Sequence, residues 1–178
     1  MKGYLLALFC LMASSLTART FTASDGTLLD LSKGKRLVLI VNVSPLSRYA
    51  YQIESLNKLR TQFSDQDLLI LGVMDHSFGQ EKDDQELLMQ LKKKYELQFP
   101  VLLGISMRGK DQDPYFFALS HQKAGASVVG ETTWLYNKFL LDRNGRVIKR
   151  FESSVDPFSQ HFRDLLSKAI QEREYYAQ

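Results

Sequence analysis

The sequence predicts an α/β domain in which strands and helices alternate around one central sheet. Three observations carry that reading. The run Leu37 to Val43 consists of β-branched residues and leucine apart from Asn42, the mark of a strand buried on both faces. Behind it, Tyr49, Ile53, Leu56, Leu59 and Phe63 recur at helical spacing before a second apolar strand, Leu68 to Val73. Asp84 to Tyr95 then places Leu87, Leu88, Leu91 and Tyr95 on one helix face. Such alternation is the pattern of a layered α/β fold.

Each element has a local reason. Phe21 to Leu31, with Asp25-Gly26 between apolar residues, predicts an N-terminal hairpin. Pro45 ends the strand of residues 37–43, and Ser47 is expected to open the following helix. Gly104 to Thr133 reads as a surface excursion, with a short helix from Pro114 to Leu119 and a flexible turn at Ala124-Gly125-Ala126-Ser127. Phe139 to Asp142 and Val147 to Phe151, joined through Arg143-Asn144-Gly145-Arg146, predict a second hairpin. Phe158, Phe162, Leu165, Leu166 and Ile170 form one stripe, so a terminal helix is expected from about Asp156 to Tyr176.

The start of the chain reads differently. Lys2, an apolar run from Tyr4 to Met12 and the small residues Ala13, Ser14, Ser15, Thr17 and Ala18 predict a secretory signal peptide over residues 1–18, cleaved after Ser15 or Ala18. It is too short for a membrane span. Residues 19–178 then form a single domain: the 178-residue chain is 44% hydrophobic, ample for one core, and subtracting the leader still leaves a normal single-domain size. A net charge of +3 with interleaved signs excludes a nucleic-acid surface. The single cysteine, Cys10, lies inside the leader, so the mature protein is expected to hold no thiol. A disulfide framework and a thiolate metal site are thereby excluded.

The segment Asn42-Val43-Ser44-Pro45-Leu46-Ser47-Arg48-Tyr49-Ala50 lies where a strand passes through a tight loop into a helix, a junction suited to holding an anion. It resembles the glutathione peroxidases, whose loop reads N-V-A-S-x-C-G-x-T. The resemblance continues through Ile70-Leu71-Gly72, Phe78-Gly79, Phe99-Pro100-Val101 and Trp134 to Phe151, W-L-Y-N-K-F-L-L-D-R-N-G-R-V-I-K-R-F. It covers about Phe21 to the C-terminus and implies a thioredoxin-like fold, a central mixed sheet flanked by helices, with the N-terminal hairpin added. It also implies hydroperoxide reduction in the oxidative-stress response, with glutathione or thioredoxin as reductant. Family tetramers carry a long insertion near Gly104 to Thr133 that this chain lacks, which points to a monomer.

The resemblance assigns four site positions, and this chain departs at three. Ser47 occupies the position of the family cysteine or selenocysteine, Ser77 that of its glutamine and Leu135 that of its asparagine; Trp134 is retained. Arg48 replaces a family glycine and Ala50 a threonine. A thiol can be brought to its thiolate by a helix N-terminus, whereas an alcohol without an adjacent base stays protonated near neutral pH. Serine also lacks the oxidation step from thiolate to sulfenic acid. Each hydrogen-bond donor missing from around a reactive anion removes about 3 kcal/mol of barrier lowering. The leading expectation is therefore a secreted pseudoenzyme that binds a protein or small-molecule partner or serves structurally; the alternative is an active peroxidase, as the family implies.

A third expectation is a serine hydrolase using Ser47 with Asp75-His76-Ser77, although adjacent residues seldom converge as a triad and His76 is more simply a polar loop residue. His121 and His161 read as surface histidines, and Lys92-Lys93-Lys94 as a solvated helix end, with an anion anchor as the alternative. Asp83, Asp84 and Glu86 begin a helix without calcium-loop spacing, so no metal or cofactor is expected. Asn42-Val43-Ser44 is a formal glycosylation sequon, but its place at the end of a buried strand argues against use. The leader predicts the secretory route, with the bacterial periplasm preferred and an extracellular location as the alternative.

Overall fold

The computed structural model describes residues 20–31, 36–78 and 84–176. The leader with Cys10, and Gly79 and Asp83, lie outside them. Strands β1 (Thr20–Thr22) and β2 (Leu28–Asp30) form the N-terminal antiparallel hairpin, closed by Gly26 at φ 84. The main sheet comes from β3 (Leu37–Asn42), β4 (Leu68–Asp75), β5 (Val101–Ile105), β8 (Lys138–Leu141) and β9 (Val147–Phe151), in the order β5-β4-β3-β8-β9. The pairs β3–β4 and β4–β5 are parallel, while β8 and β9 add antiparallel, so the sheet is mixed. A small hairpin, β6 (Lys123–Ala124) and β7 (Ser127–Val128), stands apart and turns at Gly125.

Helices α1 (Gln52–Gln62) and α2 (Asp84–Tyr95) make the crossovers between the parallel strands. Because β3, β4 and β5 step across the sheet in one direction, connections of one hand place both helices on the same face. There Ile53, Leu56, Leu59, Leu87, Leu88 and Leu91 pack with Leu37, Leu39 and Val41, and α4 (Gln160–Tyr176) adds Phe162 and Leu166. The opposite face buries Val38, Ile40, Leu71 and Val73 under Phe21, Leu29 and Leu31 and under Tyr115, Phe116 and Leu119 of α3 (Pro114–Ser120). Every residue of β3 is buried, which explains its apolar run from Leu37 to Val41.

Four expectations need correction. The helix expected from Ser47 begins at Gln52: Ser47 to Tyr51 form successive turns, in which the amides of Ala50 and Gln52 donate to the carbonyls of Ser47 and Tyr49. The terminal helix begins at Gln160 rather than Asp156, because the Asp156 carboxylate takes the Phe158 amide at 2.7 Å and holds a turn there. The second buried strand runs two residues further, to Asp75. Gly104 to Thr133 is not merely an excursion over the surface, since Met107, Tyr115, Phe116, Leu119 and Val129 complete the second core. Its own sequence is mixed because only one side of it is buried.

Candidate functional site

The carboxyl ends of the parallel strands, where open α/β sheets bind ligands, converge with the start of β8 and the end of β9. Ser47 lies in the loop leaving β3 and is half-buried. Ser44 Oγ accepts the Leu46 amide at 3.2 Å, and Ser47 Oγ accepts the Tyr49 amide at 3.1 Å. Two serine turns thus curl the loop and delay the helix, a local competition the apolar spacing does not register. The Ser47 hydroxyl is not hydrogen-bonded to any imidazole, carboxylate or amine among the described residues.

Ser77 sits at the end of β4 in a single 3-10 turn, His76–Phe78. Both its hydroxyl, at 2.5 Å, and its amide, at 2.9 Å, donate to Asp75 Oδ1. Asp75 is buried, and its carboxylate also takes the Met107 amide at 3.1 Å and Asn42 Nδ2 at 3.3 Å. A buried carboxylate satisfied in this way spends the Ser77 proton inside the protein, leaving that hydroxyl no hydrogen to offer a reacting anion. His76 Nε2 meets Asp84 Oδ2 at 2.8 Å, and the same oxygen takes the Gly104 amide at 2.9 Å. The imidazole is an exposed link between the turn and α2.

Trp134 is 57% exposed and packs edge-on against Phe78, with ring centroids 6.0 Å apart. Leu135 is half-buried against the core beside α1 and presents no polar group. The turn that carries both is built by Asn137, a residue the sequence reading passed over. Its buried Oδ1 accepts the Thr133 amide at 2.7 Å, the Thr133 hydroxyl at 2.9 Å and the Trp134 amide at 3.3 Å. Its Nδ2 donates to Ser153 Oγ at 3.1 Å and Glu152 Oε2 at 3.3 Å. Asn137 follows Trp134 by three residues and directly precedes β8, so its part in the turn is legible only once the strand start at Lys138 is known.

Tyr136 ties this turn to the Ser47 loop. Its φ is 65, uncommon for a bulky residue and costing about 1–3 kcal/mol. Three hydrogen bonds hold it there: its amide to the Asn42 carbonyl at 2.6 Å, its hydroxyl to the Ser44 carbonyl at 3.2 Å, and its carbonyl from Lys138 Nζ at 2.9 Å. Burial pushes the Tyr136 phenol well above its usual range, so it remains a donor. Lys138 is fully buried, and desolvation pulls its ammonium down to about 7, partly countered by Asp156.

Beside the Ser47 loop a cleft of about 300 Å³ is lined by Arg48, Tyr49, Trp134, Glu152, Ser153 and Ser154. A larger groove, about 530 Å³, lies at the other end of the strands, where Arg36, Arg60 and Lys92 face Asp25 and Asp65. Lys93 and Lys94 are exposed, as a solvated helix end requires, and so are His121, stacked on Phe117, and His161. Asn42 is fully buried, in keeping with an unused sequon. Among the described residues no three of His, Cys, Asp and Glu gather to hold a metal, and no helix is long and apolar enough to cross a membrane.

Comparison with known proteins bears on this site. The sequence profile described as Glutathione peroxidase matches residues 16–120. Glutathione peroxidase-like peroxiredoxin 2 of Saccharomyces cerevisiae is 34% identical over 143 residues, covering 78% of this chain and 88% of that protein. Glutathione peroxidase homolog BsaA of Staphylococcus epidermidis is 32% identical over 123 residues, covering 68% and 77%. Among solved structures, the crystal structure of Trgpx in apo form superposes with a TM-score of 0.65 at 26% identity, covering 89% of this chain and 97% of that one. The sheet order, the mixed pairing and these neighbours make the fold thioredoxin-like. The chain belongs to the glutathione peroxidase family.

Proposed function

We propose that this protein keeps the glutathione peroxidase scaffold but has lost its thiol chemistry, and that the same end of the sheet now serves binding or a structural role. One observation carries the proposal: from Thr20 to Gln178 the chain has no cysteine, and Ser47 stands where the resemblance puts the reactive chalcogen. Peroxide reduction by the family route needs a thiolate or selenolate that is oxidised and then reduced again, and an alcohol supplies neither step. The surroundings support the reading. Ser77 directs its proton to Asp75, and Leu135 is apolar, so the donors that would stabilise a reacting anion are missing there.

The leader-like N-terminus supports export, with the periplasm of a bacterial cell as the preferred destination. A second reading is an active hydroperoxide-reducing peroxidase. The names of the relatives, glutathione peroxidase and glutathione peroxidase-like peroxiredoxin, favour it. It requires cysteine or selenocysteine to be encoded at position 47, which sequencing that codon decides. A serine hydrolase gains no support, because among the described residues the Ser47 hydroxyl is hydrogen-bonded to the Tyr49 amide and not to His76.

The test is hydroperoxide consumption by the purified protein with glutathione or thioredoxin as reductant, beside Ser47→Cys. The native protein should show no turnover above buffer. The variant should recover part of it, because the Tyr49 amide that now meets Ser47 Oγ would meet the new sulfur. Sustained turnover by the native protein would overturn the proposal.

A further inference from the structure

The cleft beside Ser47 contains a cation, Arg48, with no anionic partner among the described residues. Arg48 is exposed, and among the described residues it has no carboxylate within ion-pair distance. It is nevertheless held in place: its guanidinium carbon lies 4.9 Å from the Tyr49 ring centroid, and Nη2 donates to the Tyr49 hydroxyl at 2.8 Å. The other guanidinium N–H groups remain available. A fork fixed in advance in this way loses little freedom on taking a carboxylate.

The cleft also contains Glu152, whose charge would oppose an anion. That charge is already answered, for Oε1 accepts Arg150 Nη2 at 2.7 Å, and Oε2 accepts Asn137 Nδ2 and the Thr133 hydroxyl, each at 3.3 Å. The remaining walls are the Trp134 indole, 57% exposed, and the exposed Ser154. A large indole left in water beside a preset guanidinium offers an apolar plane next to an anion anchor. The volume of about 300 Å³ accommodates one substituted six-membered ring.

We propose that this cleft binds a small carboxylate with a planar apolar body, the carboxylate on Arg48 and the plane on Trp134. The proposal rests on the reading that this end binds rather than turns over substrate, and it gives that reading a ligand class. Arg48 stands where the resemblance places a glycine, so the anchor is a property of this chain and not of the family pattern.

Trp134 is the only tryptophan, so indole fluorescence reports on this cleft alone. The probes are 4-nitrobenzoate and its uncharged counterpart 4-nitrobenzamide, both quenchers of similar shape, titrated into the full-length protein with excitation at the red edge of the indole band. The acid should quench saturably, Arg48→Gly should weaken it by about tenfold, the size of one charge-assisted contact, and Arg48→Lys should fall between. The amide should bind weakly and be indifferent to both variants. Unsaturable quenching by the acid, equal affinity for acid and amide, or an unchanged affinity in Arg48→Gly would each overturn the proposal. Hydroperoxide turnover by the native protein would instead overturn the loss of chemistry, and that outcome is read in a separate assay.

Discussion

Replacing Lys138 by methionine should flatten the dependence of stability on pH. The side chain is fully buried and its ammonium donates to the Tyr136 carbonyl at 2.9 Å. Desolvation lowers its pKa from 10.5 to about 7, with Asp156 opposing the shift. The folded value lies below the unfolded one, so between them the unfolded chain holds the extra proton and stability rises with pH. The slope approaches about 1.4 kcal/mol per pH unit in mid-window, which amounts to roughly 2 kcal/mol gained between pH 7 and pH 9.

Urea unfolding followed by far-UV circular dichroism at several values from pH 6 to pH 9 measures this directly. Asp156, the charged group that acts on Lys138, is present in both proteins, so the difference between the two profiles isolates the lysine. Lys138→Met gives up one hydrogen bond, about 1 kcal/mol net, and is relieved of the desolvation cost. It should therefore match or exceed the native protein at pH 7 and lose that advantage by pH 9. Parallel profiles would refute the reasoning, because they would mean that Lys138 carries its charge in the folded state.

Two further substitutions test the frame of the site. Gly72→Ala should cost about 1–3 kcal/mol in urea unfolding. A Cβ there would meet Val101 Cγ2 at 3.0 Å, Val43 Cγ2 at 3.2 Å and Phe99 Cε2 at 3.3 Å, three side chains fixed in the core. Asn137→Ala should cost about 2 kcal/mol, because the part-buried Thr133 and Trp134 amides lose their acceptor and the buried Ser153 hydroxyl loses a donor. It should also shift the Trp134 emission, since that amide and the turn before it depend on Asn137 Oδ1.

The parts of the fold set by apolar periodicity were legible in the sequence. The helix Asp84 to Tyr95 emerges as read, and the strand read over Leu37 to Val43 emerges as Leu37–Asn42, because each buries the apolar residues that mark it. What the sequence concealed was decided by side-chain capture of backbone amides. Ser47 and Asp156 sit before apolar helical stripes, and nothing in those stripes says that the hydroxyl or carboxylate will hold a turn for several residues more. At the site, Ser47, Ser77, Trp134 and Leu135 could be named from the resemblance. Asp75, Asn137 and Lys138 could not, because a buried polar residue announces itself only through the partners the fold brings to it.

These buried polar residues also hold the frame of the site independently of the side chain at position 47. The strained Tyr136 is fixed by the Asn42 and Ser44 carbonyls on one side and by Lys138 on the other, and Asn137 holds the turn beyond it. Across the cleft, Gln52 at the start of α1 donates to the Ser153 carbonyl at 2.8 Å, joining the helix to the end of β9. None of these bonds passes through the Ser47 hydroxyl, which among the described residues is hydrogen-bonded to the amide two residues on. The loop is thus positioned without the Ser47 hydroxyl, so a thiol at position 47 should find the same backbone around it.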